Sequence, residues 1–178
     1  MMMRMLEAGG LELLSDGTRA ADADNPRGYY EYERVKRLEI DASWLGEARG
    51  KALKIVSALL RHLPAGLRYK ILFMQRDLSE VLASQRVMLV RRGKATSPAE
   101  DARMADLFDK HLREVERVLA ARTDVEVLYV RYDAVLRDAH RVARDVATFL
   151  GAGLDAERMA AAVEPALYRQ RSDLEPRE

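Results

Sequence analysis

Apolar positions along this chain follow two rhythms. Short unbroken runs bounded by charge alternate with longer stretches in which apolar residues recur every three or four positions. The run Tyr69 to Met74 (YKILFM), closed by Arg76 and Asp77, predicts a buried parallel strand. Asp77 precedes Glu80 at capping-box spacing, and Leu78, Val81, Leu82, Gln85, Met88 and Leu89 continue at helical intervals. This strand, turn and helix place Arg76 at the carboxyl end of the strand, the edge where open α/β sheets bind ligands. Two further runs predict strands: Ala52 to Ser57 (ALKIVS), and Val125 to Tyr132, rich in β-branched and aromatic residues. A shorter strand or turn is expected around Leu11 to Leu14.

Helices are predicted over Met1 to Ala8, ended by Gly9 and Gly10, and over Leu38 to Ala48, with Asp41 as cap and Trp44 and Leu45 inward. A short helix and a turn are marked by His62, Pro64 and Gly66. Ser97, Pro98 and Glu100 open a long amphipathic helix with Met104, Leu107, Phe108, His111, Leu112, Val115, Val118 and Leu119 on one face. Asp155 to Ala166 makes the last helix. The alternation predicts an α/β sheet of parallel strands flanked by helices, in one domain spanning 1–178. Residues 173–178 carry little to bury and are expected to be a mobile tail.

Composition narrows the function classes. Lys plus Arg number 30 against 29 Asp plus Glu, for a net charge of +1, which gives no electrostatic case for a nucleic-acid or anionic-membrane partner. The absence of Cys excludes disulfides, a thiolate nucleophile and Cys-based zinc sites. His62, His111 and His140 lack metal-ligand spacing. No apolar run reaches the length of a membrane span, and MMMRMLEAGG does not read as a signal peptide, so a cytoplasmic location is the default expectation.

The candidate chemistry starts with Arg76 and Ser84, in QRDLSEVLAS. A guanidinium offers phosphate oxygens a planar, permanently charged fork, and a hydroxyl adds a neutral donor. The plain alternative is that Arg76 and Asp77 form a salt bridge and a helix cap. An Arg closing a strand with a Ser eight residues later, inside the next helix, resembles the 3′-phosphate motif of sulfotransferases that use 3′-phosphoadenosine 5′-phosphosulfate. A second stretch resembles that family's other signature: Val130, Tyr132, Asp133 and Val135, then Asp138, then Phe149, Leu150 and Gly151, with Ala139 where the family usually has Pro. NPRGYYEYE and the PALYRQRSD segment are also similar to family stretches. The resemblance runs from Met1 to Arg171.

That resemblance implies a three-layer, P-loop NTPase-like topology and a donor substrate, 3′-phosphoadenosine 5′-phosphosulfate, used without a metal. Arg76 and Ser84 would hold its 3′-phosphate and Tyr132 would flank the base; as a plain residue, Tyr132 is a strand-end core tyrosine. Arg169 and Arg171 would reach the phosphate from the C-terminal side, or belong to a solvated tail. Asp16 is the candidate catalytic base by its distance beyond the first helix, with Glu31 comparable; a turn-forming aspartate is the other reading. The acceptor would be a small molecule or carbohydrate bearing a hydroxyl or amine.

In the family a first, central strand and a PRSGT-like loop that cradles the phosphosulfate precede a helix like Met1 to Ala8. Neither is present in the sequence, and no GxxxxGK[ST] or GxGxxG replaces them. The expectation is a bacterial sulfotransferase-like chain read from an internal Met, with activity in its full-length form. The alternatives are a degenerate relative, serving as a non-catalytic nucleotide-binding or interaction protein on the same scaffold, and a nucleotide kinase, which would need a phosphate-loop Lys and a magnesium site. A sheet lacking that strand would expose an edge, so a homo-oligomer is also expected.

Overall fold

The computed structural model describes residues 1–18, 28–82, 86, 98–151 and 153–164. Two of the predicted strands form within it. β1 (Tyr69–Gln75) and β2 (Val125–Arg131) lie side by side in parallel, with Tyr69 opposite Val125 and Gln75 opposite Arg131. Side chains on a strand alternate between faces. Tyr69, Ile71, Phe73, Val125 and Val127 therefore point to one apolar cluster, and Leu72, Met74, Leu128 and Val130 to another. Burial on both faces explains why these strands read as unbroken apolar runs rather than alternating ones.

The cluster under Leu72, Met74, Leu128 and Val130 is helical. It gathers Met2, Met5 and Leu6 of α1 (Met2–Ala8) and Val135 of α3 (Tyr132–Arg137). Val142, Ala143 and Val146 of α4 (Ala139–Leu150) and Met159 and Ala160 of α5 (Ala156–Ala161) complete it. The caps follow the sequence. The Asp138 and Asp155 carboxylates each accept a main-chain N–H, from Arg141 and Arg158 at 3.0 Å, and Gly151 ends α4 in the left-handed region at φ 65°. Gly9 packs where a side chain has no room: a Cβ there would lie 2.5 Å from Met159 Cγ. The Gly9 carbonyl also accepts from the Asp155 N–H at 3.1 Å, joining α1 to α5.

The second cluster packs Val115 and Leu119 of α2 (Pro98–Ala120) and Phe73 of β1 against Val35, Leu38, Trp44, Leu45, Leu60 and Leu63. Those last six come from irregular chain and three 3₁₀ helices, Glu33–Arg37, Ser43–Ala48 and Ser57–His62.

Three expectations need correcting. Ala52 to Ser57 is not a strand: Ala52 makes an isolated parallel bridge to Leu13, and the following residues pair with no strand among those described. Leu38 to Ala48 is not an α-helix but a turn and the 3₁₀ helix Ser43–Ala48, although Trp44 and Leu45 are buried as predicted and Asp41 accepts from the Ser43 N–H at 3.0 Å. On α2 the apolar face is buried only towards its C-terminal end. Met104 and Leu107 are exposed, because the strands and 3₁₀ helices sit under Leu112, Val115 and Leu119.

Candidate functional site

The parallel register decides what meets at the strand ends. Tyr69 faces Val125, an offset of 125 − 69 = 56 positions, and 76 + 56 = 132, so Arg76 and Tyr132 are the next residues after the two strands. The Arg76 guanidinium lies 5.1 Å from the centre of the Tyr132 ring, a cation–π distance. Burial pushes the Tyr132 hydroxyl pKa up, against the opposing pull of Arg76. The two candidate residues are thus together at the carboxyl edge of the sheet.

Glu80 joins them. Residues 78–82 are helical, and Asp77 caps this turn, accepting from the Ser79 N–H at 2.8 Å and the Ser79 hydroxyl at 2.5 Å. The Ser79 hydroxyl, followed by its N–H, holds the Asp77 carboxyl below its usual range. The Arg76 Nε–H donates to Glu80 Oε2 at 3.1 Å. Glu80 is 6% exposed, a buried carboxylate beside a guanidinium. The signal that would have found it is the i,i+4 spacing of Arg76 and Glu80 on the first helical turn.

Arg76 and Tyr132 close one end of a cleft of about 1470 Å³. β1 forms one wall and residues 50–55 the other, with Tyr29, Tyr30 and Arg4 also lining it. Lys54 is held in this wall by the Tyr29 carbonyl, which accepts from its Nζ at 2.9 Å, with Glu31 Oε1 at 3.9 Å.

Asp16 does not line the cleft among the described residues. Its carboxylate accepts from the Glu33 N–H at 2.5 Å, the Thr18 N–H at 3.0 Å and the Thr18 hydroxyl, and its own N–H donates to the Glu31 carbonyl at 3.1 Å. The Thr18 hydroxyl, then the Glu33 and Thr18 N–H groups, lower its pKa from 3.8 to about 2. A hydrogen bond that sequence reasoning missed joins Ser57 Oγ and His111 Nε2 at 2.9 Å, tying α2 to the third 3₁₀ helix. Ser84, Arg169 and Arg171 lie outside the described residues.

A guanidinium lying over a tyrosine ring, where the cleft meets a strand end, offers a charged fork and an aromatic face side by side. Comparison with known proteins addresses the same question. A family model described as the sulfotransferase family matches residues 15–156. The chain belongs to the sulfotransferase family. The match spans β1, β2, the helical turn after Arg76 and the Tyr132 helix, so the whole strand-end site of this sulfotransferase-family chain lies inside it. Searches of the curated proteins and of the solved structures found no match. Among the described residues, no helix is long and apolar enough to cross a membrane, and no cluster of His, Asp and Glu has the arrangement of a metal site.

Proposed function

We propose that this chain binds 3′-phosphoadenosine 5′-phosphosulfate at the carboxyl end of β1 and β2, and that it serves sulfuryl transfer to a hydroxyl or amine of a small-molecule or carbohydrate acceptor. The observation that carries the reading is the Arg76–Tyr132 pair, 5.1 Å from guanidinium to ring centre, at the end of the cleft. The donor supplies the activated sulfuryl group. Arg76, with Ser84 eight positions on in the sequence, would hold the 3′-phosphate, and Tyr132 would flank the adenine. Glu80 orients the guanidinium from behind through its Nε–H. In the same reading, apolar clusters on both faces of a parallel strand pair support a layered α/β sheet of P-loop-like topology.

The acceptor base is better sought away from Asp16. A general base works best with a pKa near the working pH, and this carboxylate is held at about 2 by groups that tie its loop together. Glu31, whose Oε1 lies 3.9 Å from the Lys54 ammonium, is the other candidate acid, and like Asp16 it does not line the cleft among the described residues.

The test is calorimetric titration of the protein with the product nucleotide, 3′-phosphoadenosine 5′-phosphate. Arg76→Ala is paired with Glu80→Gln so that no carboxylate is left buried without its cation. Removing one partner of a hydrogen-bonded charge pair costs at least about 2 kcal/mol, or roughly 30-fold in affinity. Parent binding that falls by that factor in the double variant, with an unchanged denaturation midpoint, supports the site. Equal binding in the variant, or none in the parent at millimolar nucleotide, overturns it. Binding without transfer to any acceptor would favour the non-catalytic nucleotide-binding reading.

A further inference from the structure

Transfer of a sulfuryl group to a hydroxyl or amine leaves a proton to be removed, and the carboxylates of the cleft do not fit that task. Among the described residues, Glu126 and Glu164 are the acids that line it. Glu164 is bonded to Arg4 at 2.7 Å. Glu126 faces Lys70 near the start of a register that ends with Gln75 and Arg131, so it lies towards the far end of the strands from Arg76 and Tyr132. A hydroxyl in the same cleft has what these acids lack, a hydrogen-bonded imidazole behind it.

Ser57 lines the cleft and opens the third 3₁₀ helix, three residues after Lys54. Its Oγ lies 2.9 Å from His111 Nε2 on α2. Both residues are half-buried. His111 does not line the cleft; with Arg61 and Glu114 it lines a separate cavity of about 80 Å³. One hydrogen bond thus connects the cleft to a second cavity. The packing beside it is apolar, with Leu59, Leu60, Leu112, Val115 and Leu119 in one cluster. A hydroxyl and an imidazole set in such packing each need the other as a partner. The charged groups that share the second cavity with His111 are bonded elsewhere: the Arg61 Nε–H donates to His62 Nε2 at 3.1 Å, and Glu114 accepts from Arg117 at 2.7 Å. Among the described residues, Ser57 is the hydrogen-bond partner of His111.

We infer that Ser57 and His111 form the relay that takes the acceptor's proton. Ser57 is the catalytic residue that meets the acceptor hydroxyl or amine, and His111 is the positioning residue that receives the proton through it. The acceptor oxygen or nitrogen forms its bond to sulfur as the bond from sulfur to the 5′-phosphate oxygen breaks, and that electron pair leaves with the nucleotide. The acceptor proton passes to Ser57 Oγ while the Ser57 proton passes to His111 Nε2. The resulting imidazolium, half-buried and lining the second cavity, releases its proton to water before the next cycle. An imidazole changes charge between about pH 5 and 8, which suits it to this task. The inference rests on the transfer reaction proposed above.

The first test needs neither nucleotide nor acceptor. Long-range proton–nitrogen NMR spectra of the 178-residue chain report which nitrogen of the neutral His111 ring carries the proton, with His111→Gln assigning the signal. The relay requires Nδ1–H, with Nε2 accepting from Ser57; a ring protonated at Nε2 overturns it. The second test is transfer from 3′-phosphoadenosine 5′-phosphosulfate to two probe acceptors: phenol, which needs a base, and 4-nitrophenol, which ionises near neutral pH unaided. Ser57→Ala and His111→Gln should lower kcat/KM for phenol about 10²- to 10⁴-fold and leave 4-nitrophenol within about tenfold. Ser57→Thr, which keeps the hydroxyl, should restore phenol transfer, and His111→Gln should abolish the acidic limb of the phenol pH profile. Equal losses on both phenols would make the pair structural and overturn the relay, as would phenol transfer that either variant leaves intact; in both cases the transfer reaction itself stands. No transfer by a parent that binds the product nucleotide overturns relay and transfer together and leaves the nucleotide site.

Discussion

On one wall of the cleft, Tyr69–Gln75 pairs residue by residue with Val125–Arg131. On the other, residues 50–55 pair with extended chain, among the described residues, at the bridge between Leu13 and Ala52. Both walls carry a short apolar run bounded by charge, so local composition does not separate them. What separates them is a partner on the hydrogen-bonding edge: β-propensity describes fitness for a pleated surface and leaves pairing to the rest of the fold. The consequence reaches the site. Because the β1–β2 register continues past the strands, it delivers Arg76 to Tyr132. The opposite wall is shaped instead by side chains: Trp44, Leu45, Leu60 and Leu63 beneath it, and Lys54 bonded to the Tyr29 carbonyl.

The largest expected effect breaks the second wall. Trp44 is 1% exposed, meets the Tyr32 ring edge-on at 5.1 Å, and donates its indole N–H to the Asp41 carbonyl at 2.9 Å. Trp44→Ala should cost about 3–5 kcal/mol by transfer and cavity terms, read from the urea midpoint. A cost below about 1 kcal/mol would mean that this cluster does not hold the wall. The paired wall comes next. Glu80→Ala removes a carboxylate from the Arg76 Nε–H and should cost about 2 kcal/mol, within the range for hydrogen bonds to charged groups. Glu80→Gln, which keeps an acceptor, should cost less. Equal losses in the two variants would show that the charge, which both remove, is what Glu80 contributes, and not the packing or the neutral acceptor that glutamine keeps.

The same contrast explains what could be read from residues alone. β1, β2 and the turn capped by Asp77 are legible because the signals are local, an apolar run and a capping carboxylate, while α4 with Asp138 and Gly151 is legible through the family signature. Arg76 and Tyr132 are legible as separate candidates, but their meeting depends on a register between segments 56 positions apart. Residues 52–57 failed because strand formation needs a neighbour that no local pattern reveals. The 3₁₀ helices failed in another way. Their inward residues, Trp44 and Leu45, were found, but apolar spacing over six residues does not distinguish a 3₁₀ turn from an α-helix. Met104 and Leu107 lie on the predicted apolar face, and only the reach of the second cluster shows where its burial ends.

A smaller effect tests the turn that aims Arg76. Asp77→Ala removes the cap on the helical turn and should cost about 1 kcal/mol at neutral pH. The Asp77 carboxyl is held below its ordinary value of 3.8, chiefly by the Ser79 hydroxyl. A folded pKa below the unfolded one gives stability that is complete above about pH 4 and is lost as pH falls through the folded value. The gap between parent and variant should therefore be constant near neutrality and close in acid. A gap that persists unchanged at pH 2 would assign the loss to something other than the charged cap.

Asp16 gives the smallest effect and the sharpest distinction between strap and catalyst. Its pKa is lowered to about 2, with the Thr18 hydroxyl first and the Glu33 N–H next, so the folded state favours the ionised form. That contribution is present above about pH 4 and fades as pH falls from 3.8 towards 2. Asp16→Asn should lower Tm slightly at pH 7 and match the parent below pH 2, and Thr18→Ala should reproduce part of the shift because it removes the first-ranked donor. A general base behaves otherwise. Its removal would leave Tm alone and reduce transfer about 10²- to 10⁴-fold, with loss of the acidic limb of the kcat/KM profile. A carboxylate that already accepts the Glu33 N–H, the Thr18 N–H and the Thr18 hydroxyl has little basicity left for an acceptor. The Tm shift without a matching loss of transfer is the expected result, and it would leave the catalytic proton to a group in the cleft itself.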